Sequence, residues 1–335
     1  MTTSRERVWT SIRHSQPDRV PYYFSFTQAA GCKLEAHYGT SDLDSTLDND
    51  MVRYSTRRLA LLQEVHPGFY RDEFGVLWNR TVDKDIGVPH DYPLKGRSLA
   101  GYTFPDPHDP RRYRGLLDFI QAHPHRFRLI SYGFTLFERA WTLRSMPELM
   151  VDMLEAPEWV EELFDTLNAF NLKVIEELLK YDVDGFVFGD DWGHQQGLLF
   201  SLDLWRRFVK PRLAVLIEAV KGAGKAAFVH SCGKVQGLFP ELIEIGLDVF
   251  NPFQPDVMDV YAVKRQFGDH LSFYGGMSVQ GLLPHGTPEQ IRAEARRLME
   301  EIGRGGGFII GPSHHMPGDI PVENMVAFIE AVREG

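Results

Sequence analysis

The chain has 335 residues, of which 43% are hydrophobic and 24% are charged, a balance typical of a globular protein with a large core. The formal net charge is -10 and no run of lysine and arginine stands out, so we expect no nucleic-acid partner. No run of about 18 apolar residues is present to cross a membrane. The two cysteines, Cys32 and Cys232, suggest no disulfide scaffold, and no apolar signal segment follows the N-terminus. These features predict a cytoplasmic protein.

The first third of the chain has mixed patterns. Residues 5–14 have the apolar spacing of a short helix, and residues 20–26 have the composition of a first strand. Residues 43–64 show helical spacing with many charges, and residues 72–78 predict a hairpin strand. Residues 89–110 are rich in proline, glycine and histidine but keep aromatic residues, which favours an irregular excursion over a linker.

From residue 111 onward, strand and helix patterns alternate. Strands are predicted at residues 126–132, 184–188, 226–229, 247–251, 271–274 and 308–310, and helices at residues 111–122, 136–144, 147–155, 157–181, 203–223, 238–245, 257–267, 288–302 and 321–332. With residues 20–26 the strands number seven, and we expect an eighth between residues 72 and 105. No glycine-rich phosphate-binding turn follows the first strand. The pattern predicts an α/β fold, a single-domain (β/α)8 TIM barrel over residues 1–335 with an N-terminal helical or irregular extension.

Polar side chains follow strand after strand, where each predicted strand ends. They are Tyr132, Asp190, Asp191, His230, Cys232, Asn251, Gln254, Tyr274, His314 and His315. The carboxyl ends of barrel strands share one face, and active sites of barrels are built there. We therefore expect these side chains to surround one pocket.

A metal site is predicted around His230 and Cys232. Residues two apart on a strand point to the same side, and imidazole and thiolate are ligands that zinc prefers. His314 or His315 would supply a third ligand, and we take His230, Cys232 and His314 as the metal set. The alternative is a buried core cysteine beside a chance histidine.

Other residues have two interpretations each. Asp190 and Asp191 point in opposite directions at a strand end, so one would face the pocket and the other would cap a helix. Gln195 would bind substrate or loop backbone. We predict Asp190, His314 and Tyr132 as catalytic residues, and Phe26, Asp72, Gln195, Gln254 and Tyr274 as substrate-binding residues. The aromatic residues near the predicted pocket favour an apolar or aromatic substrate.

Four segments together resemble the uroporphyrinogen decarboxylase superfamily. They are residues 18–21 (Asp-Arg-Val-Pro), 189–197 (Gly-Asp-Asp-Trp-Gly-His-Gln-Gln-Gly), 230–233 (His-Ser-Cys-Gly) and a C-terminal run that starts at residue 274 (Tyr-Gly-Gly-Met) and reaches residue 324. The resemblance covers essentially the whole chain and is firmest from about residue 180. It implies a single (β/α)8 barrel.

Two activities occur in that superfamily. True decarboxylases resemble this chain at His314, but they carry Arg-x-x-x-Arg after the first strand to hold substrate carboxylates, and residues 26–32 here contain no arginine. The corrinoid-linked methyltransferases hold zinc with His-x-Cys and a further ligand near the last strand, often cysteine. His230 and Cys232 match that motif, and His314 stands at about the place of the further ligand.

The resemblance therefore implies zinc-dependent methyl transfer between a small methylated substrate, or a thiol acceptor, and a corrinoid carried by a partner protein. Asp190 and Gln195 would orient the substrate, and Tyr132 or Asp72 would handle a proton. One alternative is a metal-free decarboxylase of a small or porphyrinogen-like acid, and another is a non-catalytic barrel that binds a corrinoid or a partner protein. Barrels of this kind often dimerise, so we also expect a homodimer.

Overall fold

A computed structural model describes residues 2–56 and 61–335. Within these residues the strands are β1 (Met51–Ser55), β2 (Gln63–His66), β3 (Phe69–Arg71), β4 (Leu77–Asn79), β5 (Val88–Asp91), β6 (Phe127–Gly133), β7 (Gly185–Gly189), β8 (Gly193–His194), β9 (Gly197–Leu198), β10 (Ala226–His230), β11 (Val249–Phe253), β12 (Ser272–Met277) and β13 (Phe308–Pro312). The α-helices are α1 (Ser4–Ile12), α2 (Gln28–Tyr38), α3 (Leu43–Leu47), α4 (Leu116–Ala122), α5 (Phe137–Arg144), α6 (Met146–Glu155), α7 (Pro157–Leu178), α8 (Leu202–Phe208), α9 (Lys210–Gly222), α10 (Phe239–Glu244), α11 (Val260–Phe267), α12 (Leu282–His285), α13 (Pro288–Arg297) and α14 (Val322–Glu334).

A curled sheet of seven parallel strands, in the order β1-β6-β7-β10-β11-β12-β13, organises the molecule. Alternate strand residues point inward and, together with Val8 and Ile12, form a separate apolar cluster. The strand residues of this cluster are Met51, Phe127, Leu129, Val187, Ala226, Phe228, Val249, Tyr274 and Ile309. Because Val8 and Ile12 belong to α1, this helix packs against the inner cluster. The outer face carries the helices and the larger core. The fold is thus α/β and barrel-like.

Residues 20–26 lie between the two edges of this sheet. Tyr22 forms an isolated parallel bridge with Ile310, and the Tyr23 N–H donates to the Ile310 carbonyl at 3.0 Å. On the other side, the Asp50 N–H donates to the Tyr22 carbonyl at 3.0 Å. The predicted strand is therefore reduced to isolated bridges, because the Asp50 carboxylate and the Asn49 amide oxygen accept the N–H groups of Tyr22 and Phe24.

The helix predicted over residues 43–64 is wrong in its extent. The helix α3 ends at Leu47, and the parallel strand β1 follows. The additional barrel strand predicted between residues 72 and 105 is therefore misplaced, because β1 lies ahead of that region, whereas β4 and β5 within it belong to a separate antiparallel sheet. Residues 57–60 of the predicted helix lie outside the described residues, and β2 begins at Gln63.

Residues 63–91 form a small antiparallel sheet in the order β2-β3-β4-β5, apart from the main sheet. The strand predicted at 72–78 is shorter than expected, because the Asp72 carboxylate accepts from the N–H groups of Phe74 and Val76 and makes a tight turn. The segment predicted to be irregular, residues 89–110, begins inside β5, so its first residues form a strand.

From residue 111 onward the predicted strands agree with the structure to within two or three residues at each end. The helix predicted at 203–223 is divided into α8 and α9, and the last turn of the helix predicted at 288–302 is a π-helical segment, Leu298–Ile302. Among the helices of the described residues, none combines the length and apolar character needed to cross a membrane.

Candidate metal centre and its cleft

Three potential metal-ligating atoms, from His230, Cys232 and His314, lie within 4.8 Å of one another at the carboxyl ends of β10 and β13. His230 Nε2 and Cys232 Sγ are 3.4 Å apart. A tetrahedral zinc ion with bonds of about 2.0 to 2.3 Å separates nitrogen and sulfur ligands by about 3.6 Å. The spacing and chemistry of these donors therefore fit zinc, with one position left for a substrate.

Hydrogen bonds in the turn after β10 fix the position of Cys232. The Cys232 N–H donates to Asp191 Oδ1 at 2.8 Å, and the Gly233 N–H donates to Gln254 Oε1 at 2.8 Å. Gly233 has a φ of 90°, and a Cβ at this position would lie 2.6 Å from the backbone of Gly193. The turn consequently requires glycine, and its main-chain contacts hold the thiol beside His230.

Asn251 orients the His230 ring. Asn251 Nδ2 donates to the Tyr274 carbonyl at 3.0 Å, which turns Asn251 Oδ1 toward His230 Nδ1 at 2.6 Å. The network assigns the proton to Nδ1, so the Nε2 lone pair faces Cys232 and His314. This is the outer-shell contact typical of a metal-binding histidine.

Burial controls the protonation of the cluster. Burial, with a smaller effect of His230, lowers the pKa of His314 to about 4, so this imidazole is neutral near pH 7. Burial and then the Asp191 charge raise the pKa of the Cys232 thiol. The His314 imidazole and the Cys232 thiol are therefore neutral near pH 7 without a metal, and metal binding would release the thiol proton.

An open cleft of about 740 Å³ borders the cluster. Its lining includes Gln195, Cys232, Gln254, Gln280, His314 and His315. A second cavity of about 310 Å³ is lined by Ser55, Asp72, Glu73, Ser131, Arg139 and His315, together with other residues. Because His315 lines both, the two cavities are neighbours at the same face of the sheet.

The structure separates the predicted substrate-binding residues into groups. Gln195 and Gln254 line the cleft, and Asp72 lines the second cavity, where it forms an ion pair of 2.9 Å with Arg139. Tyr274 lies in the inner apolar cluster, and Phe26 packs against the larger core. Binding by these residues stays a prediction.

Two of the predicted catalytic residues lie apart from the His230 cluster. The Tyr132 hydroxyl is buried and donates to Asn171 Oδ1 on α7 at 2.7 Å. Burial raises the pKa of this phenol. His314 alone of the three belongs to the candidate metal centre, and a catalytic role for the others stays a prediction.

Asp190 is 1% exposed and contacts the start of α5. Its carboxylate accepts from the N–H groups of Leu136, Phe137 and Glu138 at 3.3, 3.0 and 2.7 Å, and from Trp192 Nε1 at 2.7 Å. Burial raises the pKa of Asp190 to about 6, and the four donors oppose this rise. The group is therefore mainly a carboxylate at neutral pH, and it acts as a helix cap from a neighbouring strand.

Two contributors to this face, Asn251 and Arg53, are not evident from the sequence pattern. The sequence predicts Asn251 at a polar strand end but does not indicate its partner, because the two residues meet only through the β10–β11 register, which sets Asn251 opposite His230. Arg53 lies in the predicted helix 43–64, whereas in the structure it belongs to β1, where strand alternation points its side chain inward. Arg53 Nη2 donates to Ser131 Oγ at 2.8 Å, and Ser131 lines the second cavity together with His315, so Arg53 faces this region.

Replacement of Asn251 by alanine is expected to weaken zinc binding by about 10- to 100-fold, because the His230 ring loses the acceptor that fixes its tautomer. A competitive zinc titration against a chromophoric chelator measures the change. Asn251→Asp keeps an acceptor toward Nδ1 and should lose less. Equal affinities of wild type and Asn251→Ala would show that this contact has no part in metal binding.

The fold and this site define an α/β barrel-like protein with a candidate zinc centre at the carboxyl ends of its strands. The sequence profile of the family described as "Uroporphyrinogen decarboxylase (URO-D)" matches residues 133–335, and the chain belongs to this family.

The relatives of this chain include a methyltransferase and a decarboxylase, the two activities that the resemblance implies. A methylated-thiol–coenzyme M methyltransferase of Methanosarcina mazei is 30% identical over 139 residues, 41% of this chain and 34% of that protein. A uroporphyrinogen decarboxylase of Pseudoalteromonas translucida is 36% identical over 186 residues, 53% of this chain and 49% of that protein. These matches thus span between a third and a half of the relatives' own length.

A solved structure, a methyltransferase from Methanosarcina mazei, superposes with a TM-score of 0.77 over 100% of this chain and 99% of its own. Its sequence identity is 17%, so this likeness shows the shared fold.

Proposed function

We propose that this protein catalyses zinc-dependent methyl transfer between a small methylated substrate, or a thiol acceptor, and a corrinoid carried by a partner protein. The observation that carries the proposal is the set of His230, Cys232 and His314 donors at ligand spacing beside an open cleft. The similarity to a methylated-thiol–coenzyme M methyltransferase supports the same chemistry.

The three donors would hold the zinc, and Asn251 and Asp191 would keep two of them in place. Bound zinc supplies a Lewis acid that keeps a thiol as thiolate near pH 7 or polarises the heteroatom of a methyl donor. Gln195 and Gln254 would hydrogen-bond the substrate in the cleft. The cleft is open to the outside, which would allow a separate protein to bring a corrinoid to the substrate.

Decarboxylation without a metal is the second candidate, favoured by the decarboxylase relatives and by His314. The larger cleft has few partners for the many carboxylates of a porphyrinogen, because no arginine or lysine is among the described residues that line it. Multiple carboxylates would need guanidinium or ammonium partners to replace their water.

We also infer that residues 1–335 form one (β/α)8 barrel domain, with residues 20–26 in the eighth strand position. The support is the hydrogen bonding of this segment to β13 on one side and to Asp50 on the other. A homodimer stays a proposal that sedimentation would test.

The function is tested with zinc-loaded protein, methylcobalamin and a set of small thiols. In the expected reaction the thiol gains the methyl group and loses a proton, and methylcob(III)alamin leaves as cob(I)alamin. Absorbance follows the corrinoid and mass spectrometry follows the thioether. The control is protein stripped by a chelator and then reloaded. Carbon dioxide release from an organic acid, at a rate that zinc does not change, would support the decarboxylase instead.

A further inference from the structure

Arg53 places a guanidinium on the inner side of β1. Along this strand Met51 belongs to the inner apolar cluster, whereas Tyr54 belongs to the outer core and its hydroxyl donates to the Arg112 carbonyl. Because side chains alternate across a strand, Arg53 shares the inner face with Met51 and with Ser55. Its Nη2 donates to Ser131 Oγ, and Ser131 pairs with Ser55 at the carboxyl end of β1. The side chain therefore extends toward that end, where the smaller cavity lies.

The Arg53 charge has no carboxylate partner among the described residues. Its one hydrogen bond there is from Nη2 to Ser131 Oγ, at 2.8 Å. Three acids line the adjacent cavity. Asp72 is paired with Arg139 and Glu73 with Arg112, and the third, Asp85, forms no ion pair with Arg53. A half-buried guanidinium with one neutral acceptor retains N–H groups for a ligand, and an anion would offset the cost of removing its charge from water.

The surroundings of Arg53 connect it to the candidate metal centre. Its hydrogen-bond partner Ser131 and its strand neighbour Ser55 line the smaller cavity, and His315 lines that cavity and the cleft alike. His315 directly follows the candidate ligand His314. A small molecule with one end at the His230 cluster would therefore extend past His315 toward Arg53.

We propose that Arg53 binds an oxyanion group of the substrate, such as a carboxylate, while the substrate's heteroatom lies at His230, Cys232 and His314. The heteroatom end of this inference rests on the proposed function. Guanidinium and carboxylate match as a planar, two-point pair, and Ser131 and Ser55 would offer hydroxyls beside it. A substrate with an anionic end replaces the apolar or aromatic substrate that the aromatic residues of the sequence favour.

The test compares thiols that differ in one end. Zinc-loaded wild type, Arg53→Gln and Arg53→Lys are titrated calorimetrically with 3-mercaptopropionate, 3-mercaptopropanesulfonate and the neutral 3-mercapto-1-propanol. Wild type is expected to bind at least one anionic thiol about 10- to 100-fold more tightly than the neutral one, as charge-assisted hydrogen bonds predict. Arg53→Gln should lose this preference and leave the neutral thiol's affinity unchanged, and Arg53→Lys should keep part of it.

The possible outcomes distinguish failure of the proposed function from failure of the Arg53 proposal. If zinc itself does not bind wild type, the proposed function fails, whatever Arg53 does. If zinc and thiols bind but the preference for an anion is absent, or survives in Arg53→Gln, the Arg53 proposal is overturned and the function stands. Weaker binding of the neutral thiol to Arg53→Gln would also overturn it, because the arginine would then be supporting the fold. The anionic thiol that wild type binds more tightly shows whether the Arg53 site prefers a carboxylate or a sulfonate.

Discussion

Cys232→Ala is expected to reduce zinc affinity at least about 100-fold and to abolish thiol methylation. Zinc sites with a few protein ligands gain about 10 to 16 kcal/mol in total, so loss of the one thiolate removes a large share of it. His230 and His314 would remain with water, a set that holds zinc weakly. Zinc content per chain after purification, followed by a competitive titration, measures the effect.

Cys32→Ala is the matched control, because Cys32 is the chain's other cysteine and is exposed on α2. This variant should keep zinc and activity at the wild-type level. Thermal unfolding of the metal-free proteins should be similar, since neither thiol holds the core. Stoichiometric zinc in Cys232→Ala would place the metal elsewhere and remove the main support for methyl transfer.

Asp190→Ala is expected to lower the free energy of unfolding by about 4 kcal/mol, although Asp190 is predicted from the sequence as a catalytic residue. Removal of the carboxylate leaves three backbone N–H groups and the Trp192 indole without their acceptor in a buried place, and each such loss costs about 1 to 3 kcal/mol before any relaxation. Asp190→Asn keeps the shape but turns an NH2 group toward donors, so about half of this loss is expected. Urea unfolding measures both.

Asp203→Ala provides the comparison at the surface, because the Asp203 side chain is 92% exposed and its contact with Arg206 is 3.5 Å long. Its free energy of unfolding should change by less than about 0.5 kcal/mol. If Asp190→Asn kept full stability but lost turnover with zinc still bound, Asp190 would act in catalysis rather than as a cap.

Most strands of the sheet, and the His-x-Cys pair of the candidate metal set, can be predicted from the sequence. Apolar runs that end in polar residues predict the strands from residue 126 onward, because hydrophobic periodicity is a local signal that can be read without knowledge of the tertiary contacts. The His-x-Cys pair was visible for the same reason, since two residues on one strand must share a side.

The contacts between residues far apart in the chain depend on the tertiary structure. It brought His314 to His230, joined Asn251 to the ring it orients, and turned Asp190 away to cap α5 while Asp191 contacts the Cys232 turn. It also made residues 51–55 a strand between two neighbours, against their helical spacing, and so placed Arg53 inside. Pairing with neighbouring strands and burial of side chains stabilise the strand relative to a helix. Both depend on residues far away in the chain, which local spacing does not encode.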